Sequence, residues 1–305
     1  MATVHLVDAS PYIFRAYFAL PDSLVAPDGQ PTNAIHGFFG FLVRLVEEEQ
    51  PTHLGVAFDQ SLTTSFRNEI YPEYKAQRDS PPAELEAQLG FCRELADAFG
   101  ARTWASERYE ADDLLASALA PLRKAGHGAV VVTNDKDMTQ LVDERTSFLD
   151  FAKGLRLGPE DVRRKFGVRP GQIPDLFGLM GDSVDNIPGV RGIGPKTAKV
   201  LIQHFGDIDT LYARLDEVPS LALRGARGLP ARLEAARADA FLSRELATVA
   251  ADAPGTDEGL AALRYVARDS AWRLGGPKQR PSSLHSESAK GPRLATLAAS
   301  VGMAD

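Results

Sequence analysis

Nine carboxylates, Asp8, Asp59, Glu110, Asp112, Asp113, Asp135, Asp137, Asp182 and Asp185, fall at the ends of predicted strands or the starts of predicted helices. Most stand beside Gly, Ala, Ser or Asn rather than inside a charged surface run. Negative charges at that density repel one another unless cations separate them. If the loops converge, they make a site for two hard divalent ions, Mg²⁺ or Mn²⁺. The chemistry such a pair supports is phosphodiester cleavage.

Each group also has a plain structural reading. Glu110-Ala111-Asp112-Asp113 opens a predicted helix, where the helix dipole alone favours acids. Three acids in four positions exceed that need, and the three-residue spacing puts Glu110 and Asp113 on one face. Asp135-Lys136-Asp137 follows the best strand; it suits an Asx-type turn, or two oxygens aimed at one ion. Asp182 and Asp185 repeat the three-residue spacing. Singly each pair suits a structural role; together, at strand ends, they suit a metal centre. Two rival acidic chemistries fail on detail. Asp8-Ala9-Ser10 lacks the second Asp of an aspartyl-nucleophile phosphatase, and the run from Asp135 lacks the central Gly of an EF-hand loop. The six histidines show no zinc-type spacing, and there is no Ser-His-Asp or Cys-His pattern.

Groups that would hold a nucleic acid lie nearby. The stretch 187–206 carries Arg191, Lys196 and Lys199 and no acid, against the trend of the chain. Gly189, Gly192 and Gly194 let backbone N–H groups approach a phosphate, and a helix starts beside Lys196. This is a helix–hairpin–helix pattern, which grips a backbone without reading bases. Arg67, Tyr74, Lys75 and Arg78 interleave aromatic and basic groups after Asp59, as a frayed or single strand requires. Tyr12, Arg15 and Tyr17, after Asp8, form a less specific set.

These residues need elements to position them. Val4–Val7, Leu54–Phe58 and Ala129–Thr133 read as buried parallel strands, with weaker candidates at Ala101–Trp104 and Ser147–Leu149. Helical spacing covers Asn33–Glu49, Ala83–Phe99 and Ala111–Ala125. The alternation predicts a wound α/β sheet, whose ligands bind beyond the carboxyl ends of its strands, where Asp8, Asp59 and Asp135 lie. From Gly158 the pattern turns purely helical, which predicts a second, all-α domain. From Gly275 it turns low-complexity, and a disordered tail is expected.

Composition bounds the rest. A chain of 305 residues, 44% hydrophobic and 25% charged, can bury the cores of two medium domains. Its net charge of −7 would by itself argue against a nucleic-acid partner. Setting the nine carboxylates against two divalent ions leaves the remainder close to neutral. The single Cys92 excludes an internal disulfide and reads as a packed, reduced thiol. No apolar run approaches a membrane span, and Asp8 comes too early for a signal peptide, so a cytoplasmic monomer is expected.

In order along the chain stand Asp8-Ala9-Ser10 with Arg15-Ala16-Tyr17, Phe58-Asp59, Tyr74-Lys75-Ala76-Gln77-Arg78, Glu110-Ala111-Asp112-Asp113 and Asp135-Lys136-Asp137. Leu179-Met180-Gly181-Asp182-Ser183-Val184-Asp185-Asn186-Ile187-Pro188-Gly189-Val190 and Gly192-Ile193-Gly194-Pro195-Lys196-Thr197-Ala198 follow. Together they resemble the bacterial 5′→3′ exonuclease/flap endonuclease family, which includes the N-terminal exonuclease domain of DNA polymerase I. The resemblance spans roughly residues 3 to 270 and is most specific over 179–198. No polymerase region follows, so a stand-alone member is expected.

The resemblance implies a PIN-like (resolvase-like) catalytic domain over 1–165, with a wound, mostly parallel sheet and a helical arch at about 60–95. It implies a helix-3-turn-helix domain binding duplex over 166–272, leaving 273–305 as the tail. Asp8, Asp59, Glu110, Asp112 and Asp113 would serve a first metal; Asp135, Asp137, Asp182 and Asp185 would complete a second. Lys75 and Arg78 would contact the scissile phosphate. Arg15, Arg67, Tyr74, Gly192, Gly194, Lys196 and Lys199 would contact DNA, and the family's hairpin often binds K⁺ through main-chain carbonyls. The implied activity is metal-dependent hydrolysis of DNA near 5′ ends, nicks or flaps, in replication and repair. Ala9 and Asn134 stand where the family commonly has Gly, and Gly or Ser; the substitutes are small or turn-tolerant. Two other readings compete: a non-catalytic DNA-junction binder on the same scaffold, and a PIN-type ribonuclease.

Overall fold

The computed structural model describes residues 1–61 and 64–266; the expected tail at 273–305 lies outside them. Strands β1 (Thr3–Asp8), β2 (Leu54–Asp59), β3 (Arg102–Ser106), β4 (Gly128–Val132), β5 (Thr146–Asp150) and β6 (Leu155–Leu157) form one sheet in the order β3-β2-β1-β4-β5-β6. Five run parallel, and β6 closes the edge antiparallel to β5. The near-continuous apolar runs of β1 and β4 are buried along almost their whole length, as a sheet covered on both faces demands. β3 takes the opposite edge. Its partial exposure explains why its sequence carried a weaker strand signal.

The helices α1 (Ser10–Ala19), α2 (Asn33–Glu49) and α4 (Ala83–Phe99) belong to one side of the sheet, packed on Val7, Val56 and Val132. α1 and α2 cross closely: a Cβ at Gly37 would stand 2.4 Å from that of Ala16. α4 is pinned through buried Gln88, whose Oε1 accepts the Ala34 N–H at 2.8 Å and whose Nε2 donates to Asn33 Oδ1 at 3.1 Å. This corrects part of the arch expected over 60–95. Residues 83–99 form a packed layer, because Leu85, Cys92 and Leu95 share one buried stripe with Gln88. The short α3 (Phe66–Ile70) and the turns up to Pro82 are what stand beside the strand ends. Buried Cys92, its thiol pushed up by burial, is inert packing.

On the other face α5 (Ala111–Lys124) buries Leu114, Leu115, Leu119 and Leu122. The chain runs from β1 outward to β3, then returns to β4 at the far side of β1. That reversal opens a crevice at the carboxyl ends of β1 and β4. After β6 come α6 (Pro159–Phe166), α7 (Ile173–Met180), α8 (Pro195–Phe205), α9 (Ile208–Ala213), α10 (Leu229–Ala235) and α11 (Arg237–Ala247). Phe177, Leu201 and Leu246 join one hydrophobic cluster with Leu119 and Leu122, so the helical region and α5 share a core.

The loop after α7 is cinched shut. Gly181 and Gly189 both have positive φ, and a Cβ on Gly189 would lie 2.2 Å from the Gly181 nitrogen. The Asp182 N–H donates to Ile187 O at 2.9 Å and the Ile187 N–H returns to Asp182 O at 2.7 Å. Buried Ser243 Oγ on α11 accepts the Gly189 N–H at 2.8 Å. Only glycine fits both positions, and the result is a rigid mount for Asp182 and Asp185.

Candidate active site

Carboxylates from five segments meet at the crevice. Asp8 ends β1 and Asp59 ends β2; Glu110 and Asp112 come from the start of α5; Asp135 and Asp137 follow β4; Asp182 and Asp185 come from the cinched loop. Asp8, Asp59, Glu110, Asp112 and Asp135 line a cavity of about 350 Å³ together with Lys75 and Arg78. Neutral donors hold the acids in place. Ser10 Oγ donates to Asp59 Oδ2 at 2.6 Å, and the Ala111 N–H to Asp59 Oδ1 at 2.8 Å. Thr133 Oγ1 bridges β4 to β1 by donating to Asp8 Oδ2 at 2.9 Å. Sequence reasoning gives neither hydroxyl a role, although each lies two residues from a motif acid. The Asp137 N–H donates to Asp135 Oδ1 at 2.9 Å, so the Asx turn is present alongside the clustered acids.

Besides the buried Arg67, three cations stand among the carboxylates. Lys75 Nζ donates to Glu110 Oε1 at 2.5 Å and lies 3.8 Å from Asp185 Oδ2. Arg78 donates to Asp185 Oδ1. Lys136, which sequence reasoning passed over, donates to Asp182 Oδ2 at 2.5 Å and lies 3.6 Å from Asp137 Oδ1. The signal was its place between two motif acids. Lys75 has a positive φ, and its N–H donates to Asp185 O at 3.0 Å, so the Tyr74–Arg78 turn is docked on the cinched loop.

Four expected site residues, Asp113, Arg67, Tyr74 and Arg15, are placed otherwise than expected. Asp113 is fully buried behind the cluster. Its carboxylate takes a bidentate pair from Arg67, at 2.7 and 2.8 Å, and caps its own helix by accepting the Glu110 N–H at 3.1 Å. The capping reading describes it. Arg67 is only 3% exposed. It also donates to Glu110 Oε2 and to the carbonyls of Leu246 and Thr248 at the end of α11. All five guanidinium N–H groups are spent inside the protein, so Arg67 offers DNA nothing. Tyr74 is likewise buried, its hydroxyl donating to Glu110 Oε2 at 3.1 Å. Arg15 lies apart, lining a second cavity between α1 and α2. In the hairpin, Lys196 is exposed, whereas Lys199 runs across Gly167.

Burial and mutual repulsion set the charge state. Burial, then the Asp59 charge, pushes the Asp8 carboxyl well above the usual range. Asp112 is raised by burial and by Asp8, Asp135 and Asp59. Burial and Asp135 push Asp137 up to about 8. Burial would also raise Glu110, but Lys75 and Arg67 outweigh it and hold that carboxyl low. Among the described residues no three His, Cys, Asp or Glu side chains are arranged to hold an ion as they stand. Lys75, Arg78 and Lys136 take up acceptor oxygens that such an ion would use. Asp112 Oδ1 and Asp137 Oδ1 are nevertheless buried without a hydrogen-bond partner, which native structures rarely tolerate. An all-oxygen donor set with orphaned oxygens fits a hard divalent ion.

Residues 3–167 match the model of the 5′-3′ exonuclease N-terminal resolvase-like domain, and residues 168–270 match that of the 5′-3′ exonuclease C-terminal SAM fold. The chain belongs to the 5′-3′ exonuclease family. It is 42% identical over 254 residues to DNA polymerase I of Bacillus subtilis (strain 168), a match covering 82% of this chain and 28% of that protein. This chain therefore spans less than a third of the length of that relative. Among solved structures it is similar to T5 5′-exonuclease with bound zinc, at a TM-score of 0.65 and 23% identity over 80% of this chain and 89% of that one. The bacteriophage T5 flap endonuclease, in a pseudo-enzyme–product complex with DNA and metal ions, matches equally at 0.65 and 23%, covering 80% of this chain and 88% of that one. At such identity these likenesses support the fold: a resolvase-like α/β domain followed by a helical one. Among the described residues no helix is long and apolar enough to cross a membrane.

Proposed function

We propose that this chain hydrolyses DNA phosphodiesters near 5′ ends and flap junctions with the help of divalent ions, Mg²⁺ or Mn²⁺. The observation that carries the reading is the meeting of carboxylates at the β1/β4 crevice: Asp8, Asp59, Glu110, Asp112 and Asp135 line one cavity with Lys75 and Arg78, and Asp185 is joined to it through Arg78. Asp137 and Asp182 share Lys136 beside them. Asp8, Asp59, Glu110 and Asp112 would hold one ion, and Asp135, Asp137, Asp182 and Asp185 the other. Bound there, the ions would ease deprotonation of the attacking water and stabilise the leaving oxygen. Lys75 and Arg78 would turn from Glu110 and Asp185 to the scissile phosphate and offset its developing charge. The hairpin, with Lys196 at the start of α8, would hold the duplex backbone.

A cleavage panel tests this reading. Incubated with Mg²⁺, the protein should cut a 5′-flap and a nicked DNA duplex, and leave RNA intact; with EDTA it should cut none. Binding without cutting at any divalent concentration would favour the non-catalytic junction binder, and preferential RNA cleavage the ribonuclease.

Thermal melts report on the metal independently of turnover. Asp8, Asp112 and Asp137 have folded-state pKa values above their unfolded ones. Their stabilising contribution is therefore complete below the usual carboxylate range and is lost as pH rises through the folded values, about 8 for Asp137. In EDTA the melting temperature should fall between roughly pH 5 and pH 8. Millimolar Mg²⁺ should restore it, most at the alkaline end; at a hundred times Kd the gain is about 2.7 kcal/mol. Superimposable melts in EDTA and Mg²⁺ at pH 8 would remove the metal from the reading.

A further inference from the structure

We propose that the stretch 218–233 forms a second phosphate seat beside the hairpin, extending the grip on a duplex DNA arm. The inference rests on the nucleic-acid reading above and adds residues to it. Between Glu217 and Glu234 the chain carries Arg224, Arg227 and Arg232 and no acid, in a protein of net charge −7. Several other exposed arginines pair with an acid three residues away: Arg164 with Asp161, Arg214 with Glu217, Arg237 with Glu234. Arg224, Arg227 and Arg232 are exposed and, among the described residues, pair with no carboxylate, and neither does Arg191 of the hairpin.

The fold brings the two acid-free stretches together. Arg232 on α10 donates to Gly192 O at 3.4 Å, and a Cβ on Gly192 would stand 3.0 Å from that guanidinium. Arg191, Gly192, Arg232, Ala235 and Ala236 surround a cavity of about 430 Å³. Small residues form much of its lining, and guanidinium forks stand at its rim. Arg224 and Arg227 precede it, flanking Gly225-Ala226 where a 3-10 turn (Ala226–Gly228) leads into α10. A guanidinium matches a phosphate with two parallel donors, and among the described residues no carboxylate pairs with these exposed forks to compete for it. A phosphate chain gripped at the hairpin passes directly beside this rim.

The test is the salt dependence of binding to a 5′-flap DNA in EDTA, where no cutting occurs. Replacing Arg224, Arg227 and Arg232 together by Ala should flatten the slope of log K against log salt by about 0.9 per lost phosphate contact, up to about 2.7 in all. Affinity should fall at least about tenfold at moderate salt, with an unchanged melting temperature. The corresponding triple Lys variant should keep most of the slope, since charge rather than shape is what it supplies. Wild-type slope and affinity in the Ala variant would overturn the seat, as would a Lys variant as weak as the Ala one. A wild-type protein that fails to bind the flap DNA would instead overturn the nucleic-acid reading beneath it.

Discussion

Asp112→Asn should lower Mg²⁺-dependent cleavage by at least about a thousandfold, near 4 kcal/mol of transition-state stabilisation, while DNA binding survives. Asp112 lies among Asp8, Asp59 and Asp135, and its Oδ1 is buried with no hydrogen-bond partner. An amide keeps the size of the side chain and removes the charge that would hold an ion. Asp182→Asn should have a comparable effect, because Asp182 sits on the cinched loop and its charge already attracts Lys136. Folding can be checked through an opposite sign. Relief of repulsion should make Asp112→Asn melt above the wild type in EDTA, and the gain from Mg²⁺ should shrink. If both variants cut at the wild-type rate, the assignment of the site fails.

The second large effect is on stability. Arg67→Met should cost about 3–5 kcal/mol in urea unfolding, because it leaves Asp113 buried and charged without its bidentate partner. It also frees the Leu246 and Thr248 carbonyls that Arg67 ties to the start of α5. The double variant Arg67→Met with Asp113→Leu should recover much of the loss, since it removes the stranded charge. A single variant within about 1 kcal/mol of wild type would contradict a buried anchoring role for Arg67.

The alternating pattern, the strand ends and the main motif acids were legible because each depends on local periodicity and turn chemistry. Asn33–Glu49 and Ala83–Phe99 form helices with those ends, and Asp8 and Asp59 end their strands. Partners distant in sequence were not legible. The direction of Arg67 is decided by Asp113 and by the carbonyls of α11, far along the chain. Without them an aromatic–basic run looks like a DNA-facing surface. The same holds for α4: its helical spacing was evident, but its packing through Gln88 on Asn33 and Ala34, which takes it out of the expected arch, was not. Lys136 reads as an ordinary charge in a turn until Asp182 is folded against it. Asp113 was misassigned for a related reason, since three-residue spacing shows a shared helix face without showing what covers it.

The cinched loop has a metrical consequence. Asp182 and Asp185 lie on it, and Gly192 of the hairpin comes only seven residues after Asp185, with Gly181 and Gly189 locked together between the helices. Under the proposed function, a loop that cannot stretch would fix the interval between the phosphate that is held and the phosphate that is cut. The protein would then need no base sequence to choose its position. It would measure from the gripped backbone, and lengthening the tether by one residue should move the incision or abolish it.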